Sequence, residues 1–140
     1  CVRPFHAVEP YRLEMGAKLA VDDAQDLYAF WGDKLARTIA PAGSNATIVN
    51  LASVEYAKAV LPHLAADVTV VTCLFGEGVR NGKPIQRSTA SKKARGSMAR
   101  WMAENKLEDA SGLTAFDVGY RHVPKLSNHN TLVFMNEQAL

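Results

Sequence analysis

The stretch SKKARGSMARW, residues 91–101, carries the clearest chemical potential in the sequence. Its relevant residues are four cations and one glycine: Lys92, Lys93, Arg95, Gly96 and Arg100. On a helix that turns by about 100° per residue, all of these except Arg95 fall on one side. The glycine leaves a notch among the cations, and the amide groups of the first helical turn also attract anions. We therefore predict a surface that binds phosphate or a phosphodiester backbone.

Two features of this stretch destabilise the helix. With Ser91 as the expected N-cap, Lys92 and Lys93 lie near the positive end of the helix dipole. Gly96 destabilises a helix interior by about 1 kcal/mol relative to alanine. An alternative remains open, in which the charged side is simply solvated and Gly96 lets another backbone pack closely. Arg95 lies at the margin of the apolar side, where it could form a structural ion pair.

The opposite side of this helix is apolar. Ala94, Met98, Trp101 and Met102 gather there, and we interpret them as core residues rather than as a cofactor-binding stripe. The sequence predicts no cofactor.

Three carboxylates are candidate catalytic groups: Glu14, Asp33 and Glu55. Glu14 would share one side of a strand with Arg12, a possible further anion contact. Glu55 follows a buried strand at a helix start, where ligand sites of α/β folds occur. If these carboxylates converged with Lys93, they could catalyse acid–base chemistry on a nucleotide, a nucleic acid or a phosphorylated metabolite. A structural ion-pair network would need the same residue types, and we favour a non-catalytic protein.

The histidines do not have the spacing of metal ligands. They are His6, His63, His122 and His129, and none forms a pair of ligands at helical spacing. We predict no metal site, and direct iron binding is retained as a further alternative. The spacings of zinc-finger and basic-zipper modules are also missing, so any nucleic-acid binding should be led by phosphates.

The order of the expected strands and helices predicts an α/β (mixed α+β) fold. We expect a mixed sheet with hairpins, flanked by three or four helices. The expected helices cover about 24–39, 54–61 (capped by Ser53) and 91–106. The expected strands cover 11–21 with a bend at Gly16, 47–52, 67–75, 84–90, 116–123 and 131–136. Asn81-Gly82 is the strongest hairpin signal in the chain.

Composition limits the class of protein. The 140 residues suit a single globular domain, with 48% hydrophobic residues, 21% charged residues and a net charge of +2. Cys73 lies in an apolar run and is expected to be a buried, reduced thiol. We find no apolar run near the length of a membrane span, so we expect a cytoplasmic protein without a membrane partner.

Five motifs occur in an order that is specific as a set: PYRLEMG (10–16), LYAFWGDKL (27–35), NLASVEY (50–56), SKKARGSMARW (91–101) and GYRHVPKLSNHNTLVF (119–134). With these motifs the chain resembles the YaaA family of bacterial peroxide stress proteins, also called UPF0246 or DUF328. Family members are longer at the N-terminus. The resemblance and the opening Cys1 suggest the C-terminal part of such a protein, with its N-terminal part as a partner.

The resemblance implies a role in the oxidative stress response to hydrogen peroxide. It implies a contribution to iron homeostasis that limits iron-driven damage to DNA, and an association with DNA through a positively charged cleft. DNA is therefore the expected partner, with Lys34 as a possible neighbour of the site. The oligomeric state is left open.

Overall fold

The computed structural model describes residues 18–21 and 24–140. Within this part, the chain forms two compact units, one containing residues 18–21, 24–48 and 52–69 and the other residues 49–51 and 70–140. The expectation of a single domain stays a prediction.

The first unit contains a short antiparallel hairpin and small helices. Strands β1 (Lys18–Val21) and β2 (Ala24–Asp26) pair with each other. Helices α1 (Leu27–Trp31), α2 (Lys34–Ile39) and α3 (Val54–Ala57) follow, together with a 3-10 turn at Leu61–His63.

The predicted continuous helix over residues 24–39 is wrong. Residues 24–26 form a strand, and the Asp26 side chain caps α1 by accepting a hydrogen bond of 2.8 Å from the Ala29 amide. Gly32 then ends α1 with a φ of 50°, which a non-glycine residue adopts only with strain. Asp33 follows as the N-cap of a separate helix.

The larger sheet has the strand order β3-β4-β8-β7. Its strands are β3 (Thr47–Asn50), β4 (Thr69–Gly76), β7 (Tyr120–His122) and β8 (Thr131–Asn136). Strand β8 runs parallel to β4 and antiparallel to β7. The predicted mixed sheet is therefore confirmed, and the β8 bounds agree with the prediction.

A long helix, α4 (Ser88–Glu104), belongs to the second unit. Ala94, Met98 and Met102 are buried, and Trp101 packs against the same core, which confirms the predicted apolar side. The core also contains Phe75 of β4 and Phe134 of β8, whose rings stack 5.4 Å apart. Cys73 is a buried free thiol as predicted, and burial raises its pKa to about 12.

A small hairpin connects β4 to α4. Its strands are β5 (Val79–Arg80) and β6 (Lys83–Pro84), and its turn uses Asn81 and Gly82, both with positive φ. This is the hairpin that the Asn-Gly pair predicted. The expected strand over 84–90 is wrong beyond Pro84, because α4 begins at Ser88.

The base of the hairpin is closely packed at Gly76. A Cβ at this position would lie 2.7 Å from the Met135 Sδ and 2.8 Å from the Pro84 Cβ. Only glycine lets the end of β4 pass between these two side chains.

The Glu77 side chain also anchors this region. Its carboxylate accepts a hydrogen bond from the Tyr120 hydroxyl and one of 2.8 Å from the Asn136 Nδ2. The three residues join the carboxyl ends of the parallel strands β4 and β8 to the start of β7. Burial and the neighbouring Glu77 carboxylate raise the pKa of Tyr120 to about 12.

The first prediction compares two glycines. Gly76→Ala should lower the free energy of unfolding by about 1–3 kcal/mol, because the added methyl group overpacks a region that contains the rigid Pro84 ring. Gly96→Ala should raise the same quantity by about 1 kcal/mol, because its Cβ would meet no described atom within 4 Å. Urea unfolding of the whole protein measures both. A shift in the same direction for both variants would contradict the packing described here.

The second prediction concerns Tyr120 at high pH. Its folded-state pKa of about 12 exceeds the unfolded value of about 10, so the stabilisation is complete below pH 10. It should be lost as the pH rises from about 10 through about 12. The stability difference between the wild type and Tyr120→Phe should therefore shrink over this range in urea unfolding experiments. A difference that stays constant would contradict the assignment.

Candidate nucleic-acid interface

Helix α4 begins one turn earlier than predicted. Arg87, not Ser91, is its N-cap residue. Ser91 is buried within the helix, where its hydroxyl donates a hydrogen bond of 3.3 Å to the Phe75 carbonyl oxygen. The error has a recognisable source, since residues 91, 94, 98 and 102 form one continuous buried stripe. Extending the apolar side back by one turn places Ser91 on it.

The new helix start changes the electrostatic argument for the two lysines. Lys92 and Lys93 lie beyond the first turn, and the effect of the helix dipole on a charge fades outside that turn. The predicted dipole penalty for these lysines is therefore smaller than the sequence indicated.

Four of the predicted residues form what we call the basic face of α4: Lys92, Lys93, Gly96 and Arg100. All four are exposed, on the side of the helix opposite the buried stripe. The three cations form no ion pair with any acidic residue that the structure describes. Gly96 borders open space among the described residues, so the alternative of a close-packed backbone finds no support there.

The Arg95 side chain is not part of the basic face. Its side chain is half-buried, and its Nε donates a hydrogen bond of 3.2 Å to the Ser91 carbonyl oxygen of the same helix. Burial lowers the pKa of its guanidinium group. The expected structural ion pair is not formed with a described acidic residue; the backbone carbonyl takes that place. Arg95 is thus less available to a ligand than the basic face.

A depression opens beside the first turn of α4. It has a volume of about 600 Å³ and is lined by Arg87, Ser88, Thr89, Ala90 and Lys93. No side chain of the described residues caps this end of the helix. The first backbone amides of the helix lack carbonyl partners within it, as in any α-helix. Arg87 and Lys93 therefore flank a group of hydrogen-bond donors suited to phosphate oxygens.

Two of the candidate catalytic carboxylates, Asp33 and Glu55, belong to the first unit. Asp33 is exposed and pairs with Arg37 at 3.0 Å, one helical turn further on. Glu55 is also exposed, and its backbone carbonyl accepts a hydrogen bond of 2.6 Å from the Tyr28 hydroxyl. None of the ion pairs or hydrogen bonds between described residues joins the Asp33 side chain to the Glu55 side chain. Glu14 and Arg12 lie outside the described residues.

Lys34 also belongs to the first unit. Its ammonium group lies 5.1 Å from the centre of the Phe30 ring and 3.5 Å from the Phe30 carbonyl oxygen. These contacts stabilise a turn between α1 and α2. The part of the chain that the structure describes provides no ring or carbonyl contact of this kind for the cations of the basic face.

The described histidines differ in their exposure. His63 and His129 are exposed, whereas His122 is half-buried and the described residues provide no hydrogen-bond partner for its Nε2. Burial lowers the pKa of His122. The described part of the chain has no group of three or more His, Cys, Asp or Glu side chains placed to hold a metal ion. His6 lies outside the described residues.

Sequence reasoning missed two features of the second unit. Glu77 forms hydrogen bonds with Tyr120, which lies 43 positions further along the chain, and with Asn136, which lies 59 positions further along. No local sequence pattern predicts these contacts. The role of Arg87 in the depression depends on the true helix start, which the buried stripe could have indicated. In the described residues, none of the helices combines the length and the apolar character needed to cross a bilayer.

Comparison with known proteins gives a consistent result. A family model described as "Peroxide stress protein YaaA" matches residues 1–126. A UPF0246 protein from Desulfitobacterium hafniense is 41% identical over 139 residues, which is 99% of this chain and 54% of the relative. A UPF0246 protein from Laribacter hongkongensis is 44% identical over 141 residues, with 97% and 54% covered.

A third relative shows the same coverage. A UPF0246 protein from Pediococcus pentosaceus is 42% identical over 138 residues, which is 98% of this chain and 54% of the relative. The chain thus spans about half the length of the curated relatives that it matches. The family match extends over most of the chain and includes the basic face of α4. The chain therefore belongs to the YaaA (UPF0246) family of peroxide stress proteins.

Proposed function

We propose that the protein is a cytoplasmic member of the bacterial peroxide stress response that binds DNA without sequence specificity. The basic face of α4 would contact the phosphate backbone through Lys92, Lys93 and Arg100. One observation carries this proposal: three exposed cations surround an exposed glycine, and no described acidic residue neutralises them. With respect to the described residues, these cations keep their attraction for an external anion.

The spacing of the cations supports a polymeric ligand over a single small anion. Lys93 and Arg100 are separated along the helix axis by about 10 Å, at 1.5 Å per residue. Successive base pairs of a duplex advance by about 3.4 Å, so this distance corresponds to about three phosphates of one strand. The cations could therefore contact different phosphates of the same backbone.

Gly96 favours close approach between the helix and that backbone. A side chain at this position would project from the middle of the basic face, between Lys92 on one side and Arg100 on the other. Without it, the helix backbone can lie nearer to a sugar–phosphate strand. The loss in helix stability at Gly96 would then be offset by binding.

The proposed link to iron is indirect. Phosphates attract divalent cations such as ferrous iron, and a protein that neutralises phosphates releases the cations condensed on them. Binding through the basic face would therefore displace iron from the DNA surface, where its reaction with peroxide is most damaging. This mechanism would limit iron-driven oxidation without requiring the protein to bind iron.

The third prediction tests the basic face. Lys93→Glu combined with Arg100→Glu should abolish DNA binding, measured at low salt by fluorescence anisotropy with a labelled duplex. Two attractive contacts become repulsive, while both residues are exposed and the fold is retained. The expected loss in affinity is at least about 100-fold.

The matched control is Lys106→Glu combined with Lys125→Glu. Both lysines are exposed and lie outside α4, and the change in net charge is the same. This control should lose much less affinity than the basic-face variant. Equal losses in the two variants would mean that net charge alone governs binding, and an unchanged affinity in the basic-face variant would remove α4 from the proposal.

The fourth prediction concerns salt. Three phosphate contacts should give a slope of about −2.7 or steeper in a plot of log affinity against log salt concentration. Affinity should also be nearly the same for duplexes of unrelated sequence, since phosphates carry no sequence information. A shallow slope, or a strong preference for one sequence, would contradict binding led by phosphates.

A further inference from the structure

We propose that the β5–β6 hairpin is a second phosphate-binding element, which extends the basic face of α4 through Arg80 and Lys83. This inference rests on the proposed function, because it assigns a further contact to the same nucleic-acid ligand.

The first support is the distribution of charge along the chain. Residues 78–103 contain no Asp or Glu, and they contain seven cations: Arg80, Lys83, Arg87, Lys92, Lys93, Arg95 and Arg100. The rest of the chain contains all 14 Asp and Glu residues and only nine of the 16 Lys and Arg residues. The acid-free segment covers both the hairpin and most of α4, so one continuous piece of chain presents positive charge only.

The second support is the pairing inside the hairpin. Arg80 and Lys83 are register partners on adjacent antiparallel strands, so both side chains extend from the same face of the ribbon. Like charges placed opposite each other destabilise a strand pair. Both residues are exposed and form no ion pair with a described acidic residue. An external anion bound between them would relieve this repulsion.

The third support is the rigid base of the hairpin. The Glu77 amide donates to the Ile85 carbonyl oxygen, and the Ile85 amide donates to the Gly78 carbonyl oxygen, each at 2.8 Å. The Glu77 carboxylate is held by Tyr120 and Asn136, and Gly76 lies between Pro84 and Met135. A ribbon fixed in this way presents its cations with little loss of backbone freedom on binding.

The fourth support is continuity with α4. Only Gln86 and Arg87 separate the anchored Ile85 from the first residue of the helix, Ser88. Arg87 lines the depression that Lys93 also lines. The cations therefore follow one another from the hairpin through Arg87 to the basic face. An extended path of this kind fits a ligand with regularly spaced negative charges, such as a nucleic-acid backbone, better than a compact anion.

The experiment uses Lys83→Glu in the whole protein, because this variant should move stability and binding in opposite directions. A glutamate opposite Arg80 replaces repulsion with attraction and should raise the melting temperature by about 1–2 °C. The same change removes a phosphate contact and adds repulsion, so DNA affinity should fall. General damage to the fold would lower both quantities, which separates it from the expected result.

Lys83→Gln gives a measure of the single contact and serves as the second variant if Lys83→Glu folds poorly. Loss of one contact should reduce the salt slope by about 0.9, which corresponds to about a threefold change in the ratio of affinities at 50 and 200 mM salt. Lys125→Glu, with the charge change of Lys83→Glu at another exposed site, should leave the slope close to that of the wild type.

The outcomes separate this inference from the proposed function. If Lys83→Gln and Lys83→Glu bind DNA like the wild type while the Lys93 and Arg100 double variant does not, the hairpin inference is overturned and the proposed function stands. If the wild-type protein itself does not retain DNA at low salt, both are overturned. A reduced slope in Lys83→Gln, with the melting temperature raised in Lys83→Glu, supports the hairpin contact.

Discussion

The packing of one face of α4 against the sheet is the constraint on which the rest of the second unit depends. Ser91, Ala94, Met98 and Met102 are buried in a single stripe along this 17-residue helix. Because the stripe is fixed against Phe75 and its neighbours, the opposite side of the helix must face outward. Core packing thus determines where the exposed lysines and Arg100 lie. Contacts of the cations themselves are not required to hold them in this position.

The carboxyl ends of the parallel strands provide the second fixed point. Glu77 follows β4, Asn136 ends β8, and Tyr120 begins β7, so a single carboxylate links three strands. The crevice outside such strand ends is the usual place for ligands in α/β sheets. Here the hydrogen bonds of Glu77 join these strand ends, and the chain that leaves β4 continues into the β5–β6 hairpin. The protein thus places its exposed cations on the elements that follow the strand end, with the polar network as their support.

Local patterns predicted part of this arrangement and could not predict the remainder. The β8 strand, the Asn-Gly hairpin and the apolar side of α4 follow from periodicity and turn chemistry within a few residues. The helix over 24–39 failed because apolar spacing continues across Gly32, although its φ of 50° ends the helix there. The start of α4 was misplaced because Ser91 is both a good N-cap residue and small enough for the core.

Other features depend on contacts between distant parts of the sequence. The parallel pairing of β4 with β8 and the hydrogen bonds of Glu77 bring together residues that no local window contains. For the candidate site, the sequence predicted which residues share a side of α4. It could not predict that Arg95 would turn to the Ser91 carbonyl, because that choice depends on burial of the guanidinium group in the folded chain.

The parallel pairing of Thr72 with Thr131 has a consequence for how the molecule is made. During synthesis, β4, the hairpin and α4 all leave the ribosome before β8 exists. Until β8 arrives, Phe75 lacks the stacked Phe134 ring and Glu77 lacks Asn136. Long-range strand pairing of this kind is slow, and it exposes apolar surface while it is incomplete. Until β8 is added, the nascent chain therefore carries a basic segment beside an unfinished core.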